Sequence, residues 1–266
     1  MRSAVEDTYA DGQAQANAPM WGGMSGSTIK MVGIITMLID HIGFALLARV
    51  FVFKALNGEY SPELYVVYTI LREIGRLGFP IFCFLLVEGF GRTRNKVKYA
   101  MRLGAFALIS EIPFDLALTG SVMDFGYQNV FFTLLLGFLA MCVFDLVSRK
   151  RIPKVLAITI DLAALAAFML AAYILNSDYE YMGVLTIAVM YALRSHKVWS
   201  MAGGCAVLCL LSLNELPAFF ALIPVALYNG KRGWRLKYFF YAFYPVHLFL
   251  LWSVVQLLGL ESVQLL

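Results

Sequence analysis

The chain has 266 residues, of which 61% are hydrophobic and only 14% are charged, and its mean hydropathy is +0.76. A soluble domain of this length does not need so much apolar surface, so the composition excludes a single soluble globular fold. The formal net charge of +4 says less than the distribution of the charges, and no nucleic-acid partner is expected. Long apolar runs recur along the whole sequence and predict an all-α, polytopic helical membrane protein embedded in a lipid bilayer.

The amino-terminal segment 1–28 is rich in Ala, Gly and Ser and has no apolar core of its own. A secretory signal peptide needs an apolar stretch of about 7–15 residues before its cleavage site, and this segment lacks one. We therefore predict a flexible cytoplasmic tail over 1–28 and a single transmembrane domain over 29–266. The four cysteines lie in apolar runs without metal-ligand spacing to a histidine, which is typical of small buried residues: Cys83, Cys142, Cys205 and Cys209.

Apolar runs predict about nine transmembrane helices, and a count of eight to ten fits the sequence because several runs are short or merge. The predicted spans cover residues 30–53, 64–90, 97–119, 127–148, 154–175, 180–194, 197–213, 215–229 and 236–258. Prolines inside the spans or at their ends predict kinks, because proline lacks the backbone N–H that a helix uses. These prolines are Pro80, Pro113, Pro217, Pro224 and Pro245.

The loops between the spans alternate in charge. Four of them are strongly basic: 91–98, 149–154, 194–197 and 230–237. The loops between these contain no Lys or Arg: 119–127, 176–180 and 213–216. The positive-inside rule places the basic loops in the cytoplasm, so the first span runs outward from a cytoplasmic amino terminus.

Lys30 and His41 lie on the first predicted span with ten residues between them, and Asp40 precedes the histidine. Eleven steps of about 100° come within roughly 20° of three full turns, so the two side chains share a face of the helix. The rise of about 1.5 Å per residue separates them by roughly 16 Å along the axis. That distance suits one group that holds the far end of a long substrate while the other acts at its reactive end.

An Asp-His pair inside an apolar span is costly to place in a membrane and therefore indicates a functional site. Three interpretations stay open for Asp40 and His41: catalysis, a proton or ion pathway, and a structural polar contact. In the catalytic interpretation His41 is a general base, and Glu111 or Asp115 orients its ring. Adjacent helical residues point about 100° apart, so Asp40 is also able to serve a neighbouring helix.

Other polar groups lie at mid-depth or toward the outer side in the predicted topology. Glu111 and Asp115 are four residues apart and share a helix face, which is rare in lipid unless they line a cavity. Arg72 and Arg76 have the same spacing, and substrate binding competes with an ion-pair network to those acids. His247 lies among aromatic residues, where its spacing favours a packing role over a functional one.

Positive charge at the cytoplasmic side is foremost a topology signal in any membrane protein. Lys30 and Arg102 lie closest to the spans and are the best placed to hold phosphate at the mouth of a cavity. The sequence contains no Walker motif, no zinc-spaced His and Cys set and no G-x-S-x-G motif. No metal is therefore expected.

Several stretches between Ile29 and about Trp252 together resemble one family. They read KMVGIITMLIDHIG, IGRLGFPIFCFLLVEGF, KYAMRLGAFALISEIPFD, YQNVFFTLLLG, ALYNGKRG and KYFFYAFYPVHL. The chain resembles the TraX family of bacterial membrane proteins, which is associated with N-terminal acetylation of conjugative pilin. The spacing from Lys30 to His41 also resembles the basic-residue-x₁₀-His signature of the wider transmembrane acyltransferase group.

The resemblance implies a bacterial inner-membrane acyltransferase that uses acetyl-CoA as co-substrate, with His41 as the catalytic residue and Lys30 near the coenzyme. Residues shared with TraX-like sequences add further site candidates. The expected catalytic set is His41, Asp40, Glu111 and Asp115. The expected substrate-binding set is Arg72, Arg76, Asn129 and His247. The expected coenzyme-binding set is Lys30, Arg102, Glu88, Asn229 and Lys237.

Under this interpretation acetyl-CoA threads in from the cytoplasm and an acceptor amine or hydroxyl enters from outside, where His41 takes its proton directly or forms a transient acetyl-His. The acceptor is unknown, whether a protein N-terminus such as that of pilin, a peptide or a sugar. The Ala- and Gly-rich tail departs from the family pattern, and a homodimer is compatible with the class. A proton-coupled transporter and a non-enzymatic assembly protein are the competing hypotheses.

Overall fold

A computed structural model describes residues 23–234, 237–261 and 263 of the chain. Within these residues the structure is helical, with two isolated bridges and no strand. The α-helices in chain order are α1 (Gly26–His41), α2 (Ala48–Leu56), α3 (Pro62–Gly75), α4 (Gly78–Arg92), α5 (Lys96–Leu118), α6 (Val130–Ser148), α7 (Lys154–Ile174), α8 (Glu180–Ala192), α9 (Lys197–Leu211), α10 (Leu222–Ala226) and α11 (Lys237–Leu257). A π-helical segment, Ile42–Leu47, joins α1 to α2, and a 3₁₀ segment, Leu213–Ala221, leads into α10.

The first helix begins earlier than the sequence predicted. The Ser25 hydroxyl accepts a hydrogen bond from the Thr28 N–H at 3.3 Å, which caps α1 at its amino end. Backbone bonds tie this start to the segment before α11, since Met24 N donates to Leu227 O at 2.8 Å. Ordered structure therefore begins before the predicted boundary at residue 28, while residues 1–22 of the predicted tail lie outside the described part of the chain.

The first span remains regularly α-helical up to His41 and then changes pitch. The π-helical turn starts at Ile42, directly after the Asp40-His41 pair. Such wide turns inside α-helices occur frequently at functional sites. From Lys30 to His41 the helix keeps its ordinary spacing, so the two residues share a face as the sequence indicated.

The second predicted span, 64–90, is two helices. α3 ends at Gly75 and α4 begins at Gly78, so the helix is interrupted at Arg76 and Leu77. Pro80 lies four residues after Arg76 and cannot donate the backbone hydrogen bond that a continuous helix would require there. The break leaves the side chain of Arg76 at a helix junction in the interior of the bundle.

The helices form two adjoining groups. α1 packs against α3, α4 and α11, and α11 also packs along α5. α8 packs against α4, α6, α7 and α9 and joins the two groups. Phe138, Met141, Ile187 and Met190 are fully buried where α6 meets α8. α7 is peripheral, and Ala172 is the one buried residue in its described length.

The connecting segments collect at two ends of the bundle. The basic loops meet at one end, which we call the basic end: Arg92 donates to Gly230 O at 2.8 Å, and Lys197 donates to Tyr228 O at 2.6 Å. At the opposite end the loops around 119–129 and 175–179 meet, and Gln128 N donates to Asn176 O at 3.1 Å. Arg49, only 2% exposed, caps the carboxyl end of α5 there by donating to the carbonyls of Ala117 and Leu118.

Four helical stretches of the described chain are long and apolar enough to cross a membrane: Gly26–Leu56, Val130–Ser148, Lys154–Ile174 and Tyr238–Leu257. The described residues are therefore all-helical and have the helix lengths and composition expected of a polytopic membrane protein. α8 and α9 are shorter than the roughly 20 residues that a crossing needs. The count of about nine crossings is accordingly not confirmed and stays a prediction.

Candidate functional site

Two cavities enter the bundle from its two ends and meet at the Asp40-His41 pair. The basic-end cavity has a volume of about 430 Å³, and its mouth carries Lys30, Glu88, Arg92, Arg102 and Arg232. The opposite-end cavity has a volume of about 660 Å³ and is lined by polar side chains that include Arg72, Arg76, Asp124, Tyr127 and Glu215. Four residues line both cavities: Asp40, His41, Asp178 and Tyr179. A group at this junction can be reached from either end of the protein.

The ring of His41 is held by a second histidine. Its Nδ1 lies 2.6 Å from Nε2 of His247, and the two ring planes are within 5° of parallel. Nδ1 of His247 lies 2.7 Å from the carbonyl oxygen of Phe243, one turn earlier on α11. His247 was expected to bind substrate, but it is only 4% exposed and lies behind His41.

Asp40 serves the neighbouring helix, one of the alternatives that the sequence left open. Its Oδ2 accepts a hydrogen bond and ion pair from Arg72 Nη1 of α3 at 2.7 Å. The close approach of α1 and α3 depends on Gly75, because a Cβ at that position would lie 2.2 Å from Asp40 Oδ1. Asp40 thereby anchors the arginine beside His41 and fixes the spacing of the two helices.

Arg76 and Glu215 form a second ion pair, which lines the opposite-end cavity. The Nη1 to Oε1 distance is 2.6 Å, and Glu215 is only 3% exposed. The other carboxylate oxygen of Glu215 is buried and makes no hydrogen bond within the described residues. The partners of the two arginines are thus Asp40 and Glu215, and the ion-pair network with Glu111 and Asp115, one of the two alternatives for these arginines, is not formed.

The loop between α7 and α8 carries two further residues to the junction. Asn176, Tyr179 and Glu180 have left-handed backbone conformations with φ of 49°, 62° and 43°. Such conformations are strained for non-glycine residues and cluster at functional sites. Tyr179 stacks on Phe79 with ring centroids 3.8 Å apart. The sequence analysis used this loop only as a topology signal and missed its part in the site.

Asp178, on the same loop, is half-buried at the junction of the cavities. The hydroxyl of Tyr127 donates to its Oδ1 at 2.7 Å. Burial raises the pKa of the Asp178 carboxyl, although the Tyr127 hydrogen bond and the positive charges of Arg72 and Arg76 oppose the shift. Asp178 thus lines both cavities together with His41.

The mouth of the basic-end cavity combines cations with aromatic walls. The Lys30 ammonium lies 5.4 Å from the centroid of Phe240, and the Arg102 guanidinium lies 5.2 Å from that of Tyr99. Glu88 is paired with Arg92 at 2.7 Å and accepts from Tyr228. Lys30, Arg102 and Glu88 therefore lie together at the mouth, and the coenzyme-binding role expected of them stays a prediction.

The remaining expected site residues do not line either cavity. Asn129 caps α6 and donates to Ala107 O and to Glu111, whose other oxygen is buried without a hydrogen bond in the described structure. Asp115 is 1% exposed and accepts from Asp124 N at 2.8 Å. Glu111 and Asp115 thus contact groups other than His41, whose ring is oriented by His247.

Asn229 belongs to the loop architecture of the basic end. Its side chain donates to Gly23 O at 3.2 Å and accepts from Lys231 N at 2.9 Å, which secures the start of α1 against the segment before α11. The side chain of Lys237 lies outside the described part of the chain. In the same described part, no group of three or more His, Cys, Asp or Glu side chains is arranged to hold a metal ion.

Comparisons with known proteins identify a relative and a family of this chain. The chain is 32% identical over 253 residues to Probable fimbrial assembly protein FimC, serogroup H1, of Dichelobacter nodosus, and the match covers 88% of this chain and 97% of that protein. No solved structure matches the chain. The family profile described as TraX protein matches residues 25–255, which include both cavities, the His41–His247 pair and nearly the whole helical bundle. The chain therefore belongs to the TraX family.

Proposed function

We propose that this protein is an integral membrane acyltransferase that moves an acetyl group from acetyl-CoA to an acceptor amine or hydroxyl. The observation that carries the proposal is the meeting of two cavities at His41, one with a basic mouth and one lined by polar groups. A transferase with two substrates needs both to reach one point in a fixed geometry. Two separate entrances allow the donor and the acceptor to arrive together without sharing a path.

The basic-end cavity is the proposed site of acetyl-CoA. Lys30, Arg102 and Arg232 would hold the phosphates, since charged donors form strong hydrogen bonds to phosphate oxygens. The aromatic rings of Phe240 and Tyr99 beside these cations offer flat apolar surface to the nucleotide. The pantetheine arm would then follow the cavity toward His41, roughly 16 Å along α1 from Lys30.

His41 is the proposed general base. The acceptor's nitrogen or oxygen attacks the thioester carbonyl while its proton passes to the imidazole, and the carbon–sulfur bond then breaks. The leaving thiolate of CoA takes up the proton that His41 received, so the base returns to its neutral form. Asp40, paired with Arg72, holds the helix that carries His41 but does not itself accept the proton in this scheme.

The acceptor is proposed to enter through the opposite-end cavity. The positive-inside rule assigns the basic end to the cytoplasm, which holds the acetyl-CoA pool, and this orientation puts the acceptor on the outer face of a bacterial inner membrane. The name of the Dichelobacter relative, a fimbrial assembly protein, supports a protein acceptor such as a pilin N-terminus. A sugar hydroxyl fits the same cavity chemistry.

The test is acetyl-CoA binding and CoA release by the purified, detergent-solubilised protein. The acceptor probes are a short peptide with a free amino terminus and N-acetylglucosamine. We expect His41→Gln to keep binding but to lower turnover by about 10²–10⁴-fold, the usual contribution of a general base. Lys30→Ala should weaken binding, whereas His196→Gln and Lys98→Ala, which lie outside both cavities, should match the wild type.

Failure of binding would overturn the proposal. If the folded wild type shows no saturable acetyl-CoA binding, the acyltransferase function is excluded. Proton-driven solute flux in liposomes by the same preparation would then favour the transporter hypothesis, which uses the same buried charged groups.

A further inference from the structure

We propose that His247 is a positioning residue that fixes the tautomer of His41 and leaves Nε2 of His41 as the basic atom. This inference rests on the proposed function for its catalytic consequence, although the hydrogen-bond assignment stands on geometry alone. It gives His247 a role different from the substrate contact that the sequence suggested. His41 lines both cavities, whereas His247 lines neither and contacts the reaction site through His41.

The two rings meet edge to edge. Their planes are 5° from parallel, their centroids are 4.9 Å apart, and the nearest nitrogens are 2.6 Å apart. The centroid separation nearly equals the nitrogen–nitrogen distance plus the two ring radii, which means that the rings share a common plane instead of lying face to face. An N–H in one ring plane then points directly at the in-plane lone pair of the other nitrogen.

The carbonyl of Phe243 decides the direction of these hydrogen bonds. A carbonyl oxygen only accepts, so Nδ1 of His247, 2.7 Å away, must carry a proton and donate it. In neutral imidazole the second nitrogen is then an acceptor, so Nε2 of His247 presents a lone pair. Nδ1 of His41 must donate to that lone pair, and Nε2 of His41 is left unprotonated.

Burial supports the neutral form of the pair. His247 is 4% exposed, and its two nitrogens are engaged by His41 and by the Phe243 carbonyl, with no carboxylate bound to either. A buried cation without a counterion is unfavourable, so a chain of two neutral rings is preferred over an imidazolium. Nε2 of His41 makes no hydrogen bond to any described residue.

The arrangement corresponds in its logic to a catalytic triad in which a carboxylate orients the histidine. Here a neutral imidazole takes the place of the carboxylate, and the carbonyl of Phe243 orients that imidazole in turn. When His41 accepts the acceptor's proton, its Nδ1–H bond to His247 becomes charge-assisted and strengthens. His247 therefore stabilises the protonated intermediate without itself carrying a charge.

The tautomer can be measured directly, because the chain has only three histidines. Nitrogen-15 NMR of histidine-labelled protein in lipid distinguishes protonated from bare ring nitrogens, and His41→Gln and His196→Gln assign the signals. We expect protonated Nδ1 and bare Nε2 for both His41 and His247. A proton on Nε2 of His41 in the wild type would overturn the proposal, whether or not the protein transfers acetyl groups.

Kinetics test the consequence for the reaction. His247→Leu removes the acceptor and should lower kcat by at least about 100-fold, in the range of general-base contributions, with unchanged affinity for acetyl-CoA. His247→Gln can place an amide oxygen where Nε2 lies. Its kcat should therefore be at least about tenfold higher than that of His247→Leu. The exposed His196→Gln variant serves as the matched control.

A structural role would give a different pattern. If His247→Leu keeps the wild-type kcat, or if both variants lose acetyl-CoA binding and turnover together, His247 packs α11 against α1 and does not set the tautomer. A wild type that neither binds nor turns over acetyl-CoA would refute the acyltransferase function instead. The NMR result would still decide the hydrogen-bond chain in that case, so the two failures are distinguishable.

Discussion

The two cavities that meet at His41 hold their cations in opposite ways. In the opposite-end cavity, Arg72 and Arg76 are each paired with a carboxylate, at 2.7 and 2.6 Å. In the basic-end cavity, only Arg92 has such a partner, Glu88, whereas Lys30, Arg102 and Arg232 form no ion pair with any described residue. Basic side chains are thus paired with carboxylates in the opposite-end cavity and mostly unpaired in the basic-end cavity.

The difference indicates what each set of cations does. Ion pairs that are largely shielded from solvent fix the relative positions of the elements that carry them. Here one pair joins α1 to α3, and the other joins the helix break at Arg76 to the 3₁₀ segment. Lys30 and Arg232 line the same cavity, so an anionic ligand bound there would bring a counter-charge to both. Under the proposed function, the paired cations hold helices in place and the unpaired ones would bind a phosphate of acetyl-CoA.

The largest effect is expected from removing two unpaired cations together. Lys30→Ala combined with Arg232→Ala should lower acetyl-CoA affinity by about 100-fold or more, because hydrogen bonds to charged groups contribute about 1.5–3 kcal/mol each. The measurement is equilibrium binding at several salt concentrations. Lys150→Ala with Arg151→Ala removes as much charge from exposed positions and is the control. Equal losses in both double variants would contradict a specific phosphate site.

Removing a paired cation should instead affect folding. Arg76→Met leaves Glu215 buried without its partner, and breaking a buried pair costs about 3 kcal/mol or more of unfolding free energy. Adding Glu215→Leu removes the stranded charge and should recover most of that loss. Denaturant unfolding in detergent checks both variants. A stable Arg76→Met protein with weak acetyl-CoA binding would reverse the roles assigned to the two cavities.

The sequence predicted those features of the site that depend on one regular helix. Lys30 and His41 share a face because α1 keeps its pitch over that interval and changes to a π-helical turn only at Ile42. The charge of the loops likewise predicted the basic end. The break at Arg76 was not predicted, because Pro80 indicated a kink but not the separate helices that the structure shows.

The features that were missed depend on contacts between distant parts of the chain. His247 lies 206 residues from His41, and nothing in its aromatic surroundings identified the partner of its ring. Glu215 and Asp178 lie in short connections that the sequence analysis used only for orientation. Their side chains reach the junction because a 3₁₀ segment and left-handed residues redirect the backbone, and such turns have no hydrophobic period to reveal them.

A smaller effect is expected from adding one methyl group between α1 and α3. Gly75→Ala would place a carbon 2.2 Å from Asp40 Oδ1 and force the Asp40–Arg72 pair apart. Overpacking of this kind lowers the unfolding free energy by about 1–3 kcal/mol, and we also expect turnover to fall because His41 adjoins Asp40. Gly91→Ala, also helical and with nothing within 4 Å, should raise stability by up to about 1 kcal/mol. If the two substitutions change the unfolding free energy equally, the close approach of α1 and α3 at Gly75 does not limit which residue fits there.

The smallest effect is expected from a cation that lies at the basic end but is paired with a carboxylate and does not line the cavity. Lys96 contacts Asp145 at 2.5 Å, and Asp145 keeps Arg149 as a second partner when Lys96 is lost. Lys96→Ala should therefore change stability by no more than about 1 kcal/mol, as for other pairs near the surface, and should leave acetyl-CoA affinity unchanged. Binding measured beside Lys30→Ala decides between two explanations of the basic end. If both variants weaken binding equally, the overall positive charge attracts the coenzyme and the unpaired cations of the cavity have no special role.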